Sequence, residues 1–240
     1  IEKYCPELIE YLAPIHSPAL CTAVYLKKYK QVGDKIAFLS PCMGKAEEFS
    51  DTSGYVNYNV TYKKLDQYIR ENHIKLANFP VQEFDDHGCG LGLTFSRPGG
   101  LSENIDYHTN HGAWVRQVEG DQSYKYLQEY AKRTKNGKKL PLLVDILNCN
   151  HGCNIGTGTC KNIEIDDIDA AMNQRKVEKM QQVNKDGVHK EDYALFEQFD
   201  KELKLEDFIR KYRDKSSFID KTVFSEKDYS EIFSKMHKLF

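Results

Sequence analysis

Two stretches of the sequence bring thiols, charges and glycines together at spacings that suit metal chemistry. The first is Asp145-Ile146-Leu147-Asn148-Cys149-Asn150-His151-Gly152-Cys153-Asn154-Ile155-Gly156-Thr157-Gly158-Thr159-Cys160, where Cys149 and Cys153 stand four residues apart. Gly152, Gly156 and Gly158 let the backbone take left-handed angles and come close to whatever the sulfurs hold. The second is Pro41-Cys42-Met43-Gly44-Lys45-Ala46-Glu47-Glu48, in which a cation follows the cysteine by three residues and a carboxylate follows the cation by three. Thiolates bind soft metals and iron–sulfur clusters, so the pattern reads as two halves of a cluster site. The ordinary alternative is a glycine-rich turn with inert thiols and a solvated helix start. His87 and Cys89 lie in the glycine-rich connection of residues 84–101, and a lone His-x-Cys pair reads better as a loop packing over the site than as a ligand pair.

The elements around these stretches decide whether they can meet. Leu140-Pro141-Leu142-Leu143-Val144 is an apolar run of strand length, so Cys149 and Cys153 fall where a strand spills into a loop. Residues 35–40 make a strand that ends at Pro41-Cys42 in the same way. Ligands in open α/β sheets sit at the carboxyl ends of strands. Further strands are expected over residues 55–60 and 113–118. Helices are expected over residues 1–12, 17–30 (Ser17 as N-cap, Pro18 in the first turn), 62–72 and 122–134, the last closed by Asn136-Gly137. Strands alternating with helices imply parallel βαβ units. The expected fold is α/β: two lobes of parallel sheet flanked by helices, with the cysteines in a cleft between them. We expect residues 1–160 to form that core, and residues 161–240 a helical C-terminal extension with helices near 168–183, 190–203, 206 and 225. Its dense but mixed charge reads as solvated helix surface without catalysis.

Composition narrows the function. The 240 residues carry 34 Lys and Arg against 36 Asp and Glu, a net charge of -2, which gives no basic surface for nucleic acid or anionic membrane. No apolar run approaches the roughly 18 residues of a membrane span, and Ile1-Glu2-Lys3-Tyr4 is not a signal peptide. The expectation is a cytoplasmic chain cut from a longer one. Seven cysteines at irregular spacing do not form a secreted disulfide scaffold. Cys5 and Cys21, among apolar residues of expected helices, read as small buried hydrophobes.

With these motifs in view, the sequence resembles the H-domain of the iron-only (FeFe) hydrogenases. The family pattern Pro-Cys-x-x-Lys-x-x-Glu is similar to Pro41 to Glu48, and the pattern Glu-x-Met-x-Cys-x-x-x-Cys followed by glycines is similar to Asp145 to Gly158. The connection Gly90-Leu91-Gly92-Leu93-Thr94-Phe95-Ser96-Arg97-Pro98-Gly99-Gly100 and the start Ile1 to Leu8 are similar as well, so the resemblance runs to about residue 160. It implies that Cys42 and Cys149 ligate a [4Fe-4S] cubane and that Cys153 bridges it to a diiron subcluster, together the H-cluster. It also implies that Lys45 donates to a cyanide ligand, that Glu48 stands near the proton route, and that Pro41, Gly152 and Gly156 shape the cofactor pocket.

The departures from the pattern carry their own expectations. The family's first motif, Thr-Ser-Cys-Cys-Pro-x-Trp, would lie before Ile1. Asp145 replaces a glutamate, Leu147 and Ser40 replace methionines, and Thr157 replaces a glycine. The resemblance is therefore to a divergent, sensory branch, with a ferredoxin-type electron carrier or fused iron–sulfur and signalling domains as partners. This chain is expected to be inactive, and to appear apo or zinc-loaded when isolated in air. Two alternatives stay open: a [4Fe-4S]-only redox or regulatory protein on the same fold, and a zinc module using Cys149, Cys153 and His151 or Cys160.

Overall fold

The computed structural model of the chain describes residues 1–52, 54–82, 85, 90–109, 112–185, 198–220, 222 and 224–236. His87 and Cys89, and most of the helix expected at 190–203, lie outside these residues. The chain divides into two compact units, one of residues 1–14 with 211–240 and one of residues 15–210.

The larger unit contains both cysteine loops and is built from two βαβ units. In the first, β1 (Ala37–Ser40) is followed by α2 (Lys45–Asp51) and then by β2 (Tyr58–Thr61), which pairs parallel with β1 from Ala37↔Tyr58 to Ser40↔Thr61. α1 (Pro18–Val24) precedes it and α3 (Tyr62–Glu71) follows. In the second, β3 (Val115–Glu119) leads through α5 (Gln122–Lys135) to β4 (Leu143–Leu147), again parallel, with Val115 opposite Leu143 and Glu119 opposite Leu147. Parallel neighbours need a crossover long enough for a helix, and both units supply one. Each cysteine loop therefore leaves the carboxyl end of a parallel strand, Pro41-Cys42 from β1 and Asn148-Cys149 from β4. The expected α/β fold with two parallel sheets is what the chain forms.

Packing under β1 explains its position. Leu20 and Ala23 of α1, Phe49 of α2 and Val56 form a buried cluster, with Ile36, Phe38 and Tyr55 packed against it. The Phe38 and Phe49 rings meet edge to face at 5.5 Å. In the second βαβ unit, α5 ends where Gly137 takes φ +60 and the amide groups of Asn136, Gly137 and Lys138 return to the carbonyls of Lys132, Thr134 and Arg133.

Other boundaries differ from expectation for physical reasons. The strand expected at 55–60 begins only at Tyr58, because Val56 turns into the core and Asn57 uses its side chain to accept from the Ile36 amide. The helix expected at 17–30 is α-helical to Val24 and then widens to a π-helical turn over Tyr25–Tyr29, which sends Tyr25 onto Phe199 and Tyr29 onto Phe208. Ser17 takes the extended N-cap backbone but makes no cap hydrogen bond with its side chain.

α4 (Gly100–Thr109) and α6 (Ile165–Lys185) complete the larger unit, together with a 3-10 turn over Leu205–Phe208. Its two ends meet in an antiparallel bridge between Ile15 and Ile209, beside which the His16 amide donates to the Phe208 carbonyl. In the smaller unit, residues 1–12 are not an α-helix: only Pro6–Tyr11 turn, as 3-10 helix, with Leu8 buried. Glu2 there accepts from the Arg213 amide and pairs with Lys215, and α7 (Glu226–Lys235) opens on a capping box between Ser225 and Asp228. Among the described residues no helix is long and apolar enough to cross a membrane.

Candidate metal centre

The loop after β1 is fixed by hydrogen bonds that close on Cys42. The fully buried Ser40 hydroxyl accepts from the Cys42 amide at 3.0 Å and donates to its carbonyl at 2.8 Å, and Asn59 of β2 donates to the same carbonyl at 3.0 Å. The thiol accepts from the Gly44 amide at 3.2 Å. Ser40 was conspicuous in the sequence only as a departure from methionine; Asn59 gave no signal. α2 starts three residues on, so Lys45 and Glu48 lie on its first turn, with the Lys45 ammonium 2.6 Å from Glu48 Oε2.

The loop after β4 turns through two consecutive left-handed residues, His151 at φ +59 and Gly152 at φ +70. The His151 amide donates to Glu119 of β3 and the Gly152 amide to the Cys149 carbonyl, so the chain is ready to wind the 3-10 turn Gly152–Ile155 that carries Cys153. Only glycine fits at position 152, since a Cβ there would stand 2.6 Å from the Ser96 carbonyl oxygen. Lys161 then donates to the carbonyls of Ile155 and Gly156 and ties the turn down from its far side.

The two loops dock directly on one another. The Gly158 amide donates to the Pro41 carbonyl at 2.8 Å, the Met43 amide to the Thr157 hydroxyl at 3.2 Å, and the Lys63 amide of α3 to the Gly158 carbonyl at 2.9 Å. The backbones are so close that a Cβ on Gly156 would come within 2.3 Å of the Pro41 oxygen. Cys42, Cys149 and Cys153 are each half-buried and free of disulfides, and Cys42 and Cys149 lie close enough to act on the charge of Cys153. Burial pushes the Cys153 thiol up, the neighbouring Cys42 sulfur adds to this, Lys45 pulls the other way, and Cys149 raises it further. Among the described residues no three His, Cys, Asp or Glu side chains form a group that could hold a single metal ion.

The remaining residues sort themselves around this centre. Burial pushes the Glu48 carboxyl up, but the hydrogen bond from Lys45, the nearby Ser17 hydroxyl and the charges of Lys45 and Arg210 outweigh it and hold the group below the ordinary carboxylate range. Asp145 does not belong to the loop: it sits within β4, only 5 % exposed, and accepts from the amides of Gly99 and Ser102 at the start of α4. Its carboxyl is pushed up by burial, and its Oδ2 has no partner. Cys21 donates its thiol to the His16 carbonyl and is raised by burial. Cys5 belongs to the smaller unit, where burial raises its thiol too.

Against this geometry, comparison with known proteins is decisive. The family model described as iron only hydrogenase large subunit, C-terminal domain, matches residues 1–125, more than half the chain. The chain belongs to that family. No curated protein matches it. Solved structures with the same fold include an [FeFe]-hydrogenase from work on oxygen inactivation through the H cluster 2Fe subcluster, 19 % identical with a TM-score of 0.55, covering 89 % of this chain and 72 % of that one. The HydA1 [FeFe]-hydrogenase of Chlamydomonas reinhardtii is similar in two forms: a glutamate-to-alanine variant (18 % identity, TM-score 0.55) and an apo cysteine-to-histidine variant (17 %, 0.56). Each covers 89 % of this chain and 73 % of its own. The second of the two docked loops lies beyond the matched residues 1–125 of this hydrogenase-like domain.

Proposed function

We propose that this domain holds an iron–sulfur centre of the H-cluster type on Cys42, Cys149 and Cys153, and serves hydrogen–proton redox chemistry or hydrogen sensing. The observation that carries this reading is the docking of the two cysteine loops through Pro41 to Gly158 and Met43 to Thr157. Nothing local joins residues so far apart in sequence, and these contacts support a shared site for the three thiols and the Lys45 ammonium.

The residues present fit such a group. Three thiols are the donor chemistry of a cubane, which takes four thiolates in its common form; Gly44 offers an amide to the Cys42 sulfur, and Lys45 offsets negative charge. When bound, the [4Fe-4S] and diiron parts supply electron transfer and the exchange of hydrogen with protons and electrons. The chain's own part is to position the thiolates, to present the Lys45 ammonium to an anionic ligand, and to keep Glu48 ionised beside it. With Asp145 spent on capping α4, Ser40 on bracing the Cys42 loop and Thr157 on joining the two loops, the surroundings differ from the family pattern in ways that suit a slow, sensory member. A ferredoxin-type carrier or fused iron–sulfur and signalling domains in a cytoplasmic parent are the partners this implies.

Anaerobic reconstitution with ferrous iron and sulfide tests the reading. The expected result is a broad absorption in the visible blue with a low-temperature EPR signal on reduction, lost in Cys149→Ser. A colourless product carrying stoichiometric zinc overturns it.

A further inference from the structure

The C-terminal stretch of the larger unit lies beyond the residues matched by the family model, and its charge pattern reads as plain solvated surface. Its last residue nevertheless reaches the centre. Arg210 Nη1 lies 3.3 Å from Glu48 Oε1, while Lys45 Nζ lies 2.6 Å from the other oxygen, Oε2. One carboxylate thus bridges two cations, one of them 162 positions further along the chain than Glu48. Neither end of this bridge is a loose surface pair: the Arg210 and Glu48 side chains are 16 % and 13 % exposed, and the Thr52 hydroxyl holds the Glu48 carbonyl at 2.7 Å.

Arg210 is itself held in place by its backbone. The neighbouring Ile209 bridges Ile15, Phe208 is buried and stacks on Tyr29 at 6.1 Å, and Asp207 takes Lys28 at 2.6 Å and the Tyr29 hydroxyl at 2.8 Å. The Lys204 amide donates to that same hydroxyl. A guanidinium on so fixed a segment sets the rotamer of the carboxylate it binds. With Arg210 on Oε1, Lys45 pairs with Oε2, and among these three groups one positive charge is left uncompensated. The other titratable groups facing Glu48 are His16 and Cys21, both of which feel its charge.

We propose that Arg210 is a positioning residue of this site: by fixing Glu48 it holds the Lys45 ammonium at the gathered cysteines, and so makes the C-terminal segment part of the centre. What Lys45 is held for rests on the cluster reading above; the coupling of Arg210 to Lys45 does not, and the test separates the two. In the full apo chain, the Glu48 carboxyl carbon and the Lys45 ammonium are followed by NMR across pH. Arg210→Gln is expected to move the Glu48 midpoint upward by about one pH unit and to lose the protected Lys45 ammonium signal, with Arg210→Lys between it and wild type. An unchanged midpoint and an unchanged Lys45 signal in Arg210→Gln overturn the proposal. Should that variant fail to fold, Glu48→Gln decides: the Lys45 and Arg210 side-chain signals change together if the bridge is as described, and a change at Lys45 alone overturns it. After anaerobic reconstitution, Arg210→Gln should also shift the reduced EPR spectrum, and an unchanged spectrum overturns the positioning role. Failure of wild type to take up a cluster would instead sink the cluster reading and leave the apo result standing.

Discussion

Two carboxyl groups in this domain are displaced in opposite directions, and each leaves a pH signature. Glu48 is held low by Lys45 and Arg210, so its ionised form favours folding. That contribution is present above the unfolded value of about 4.3 and is lost as pH falls through the lower folded value. Glu48→Gln should therefore lower Tm at neutral pH, with the gap to wild type closing in acid; a gap independent of pH would mean the bridge contributes no charge stabilisation. Asp145 behaves the other way, because burial raises its folded value. Its contribution is present below the unfolded value of about 3.9 and is lost as pH rises through the folded one. Asp145→Asn keeps an oxygen for the Gly99 and Ser102 amides, and should gain on wild type from mildly acid to neutral pH in thermal melts. The sequence showed Asp145 only as a shortened glutamate at the head of the cysteine loop. That its side chain points back to cap a helix depends on where α4 lies, which no local pattern reports.

At the scale of elements, the joint between the loops matters more than either loop. Strand-end cysteines and their glycines were legible because turn chemistry is local: Gly152 and Gly156 stand where the backbone comes close to Ser96 and Pro41. What was not legible was the partner of each approach, since Ser96 and Pro41 come from other elements. Thr157 read as a lapse from a glycine run, yet its hydroxyl takes the Met43 amide. Thr157→Val should cost about 1 kcal/mol, the usual net worth of one hydrogen bond. Gly156→Ala should cost about 1–3 kcal/mol by forcing the Pro41 and Cys153 backbones apart. Urea unfolding measures both, and if the docked loops are the centre, Gly156→Ala should also weaken retention of a reconstituted cluster far more than Thr157→Val does.

For the whole molecule, the alternation of apolar strands and amphipathic helices was enough to read two parallel βαβ units, because each is a local pattern repeated. The closure of the larger unit was not, because it depends on residues 15–16 meeting 208–209, a pairing with no sequence signature. Phe208 is the centre of that closure. It is 8 % exposed and stacks on Tyr29 with an interplanar angle of 10°, beside the Ile15–Ile209 bridge and the His16 to Phe208 hydrogen bond. Removing a buried phenyl ring leaves both a lost transfer free energy and a void, so Phe208→Ala should destabilise the domain by about 3 kcal/mol. Its more telling effect is on order: residues 204–210 should exchange their amide hydrogens much faster while β4 stays protected, and the Arg210–Glu48 bridge should loosen with them. Hydrogen exchange read by mass spectrometry distinguishes this from general destabilisation, in which the segment and β4 would accelerate together and the C-terminal stretch would be no more than ordinary packing.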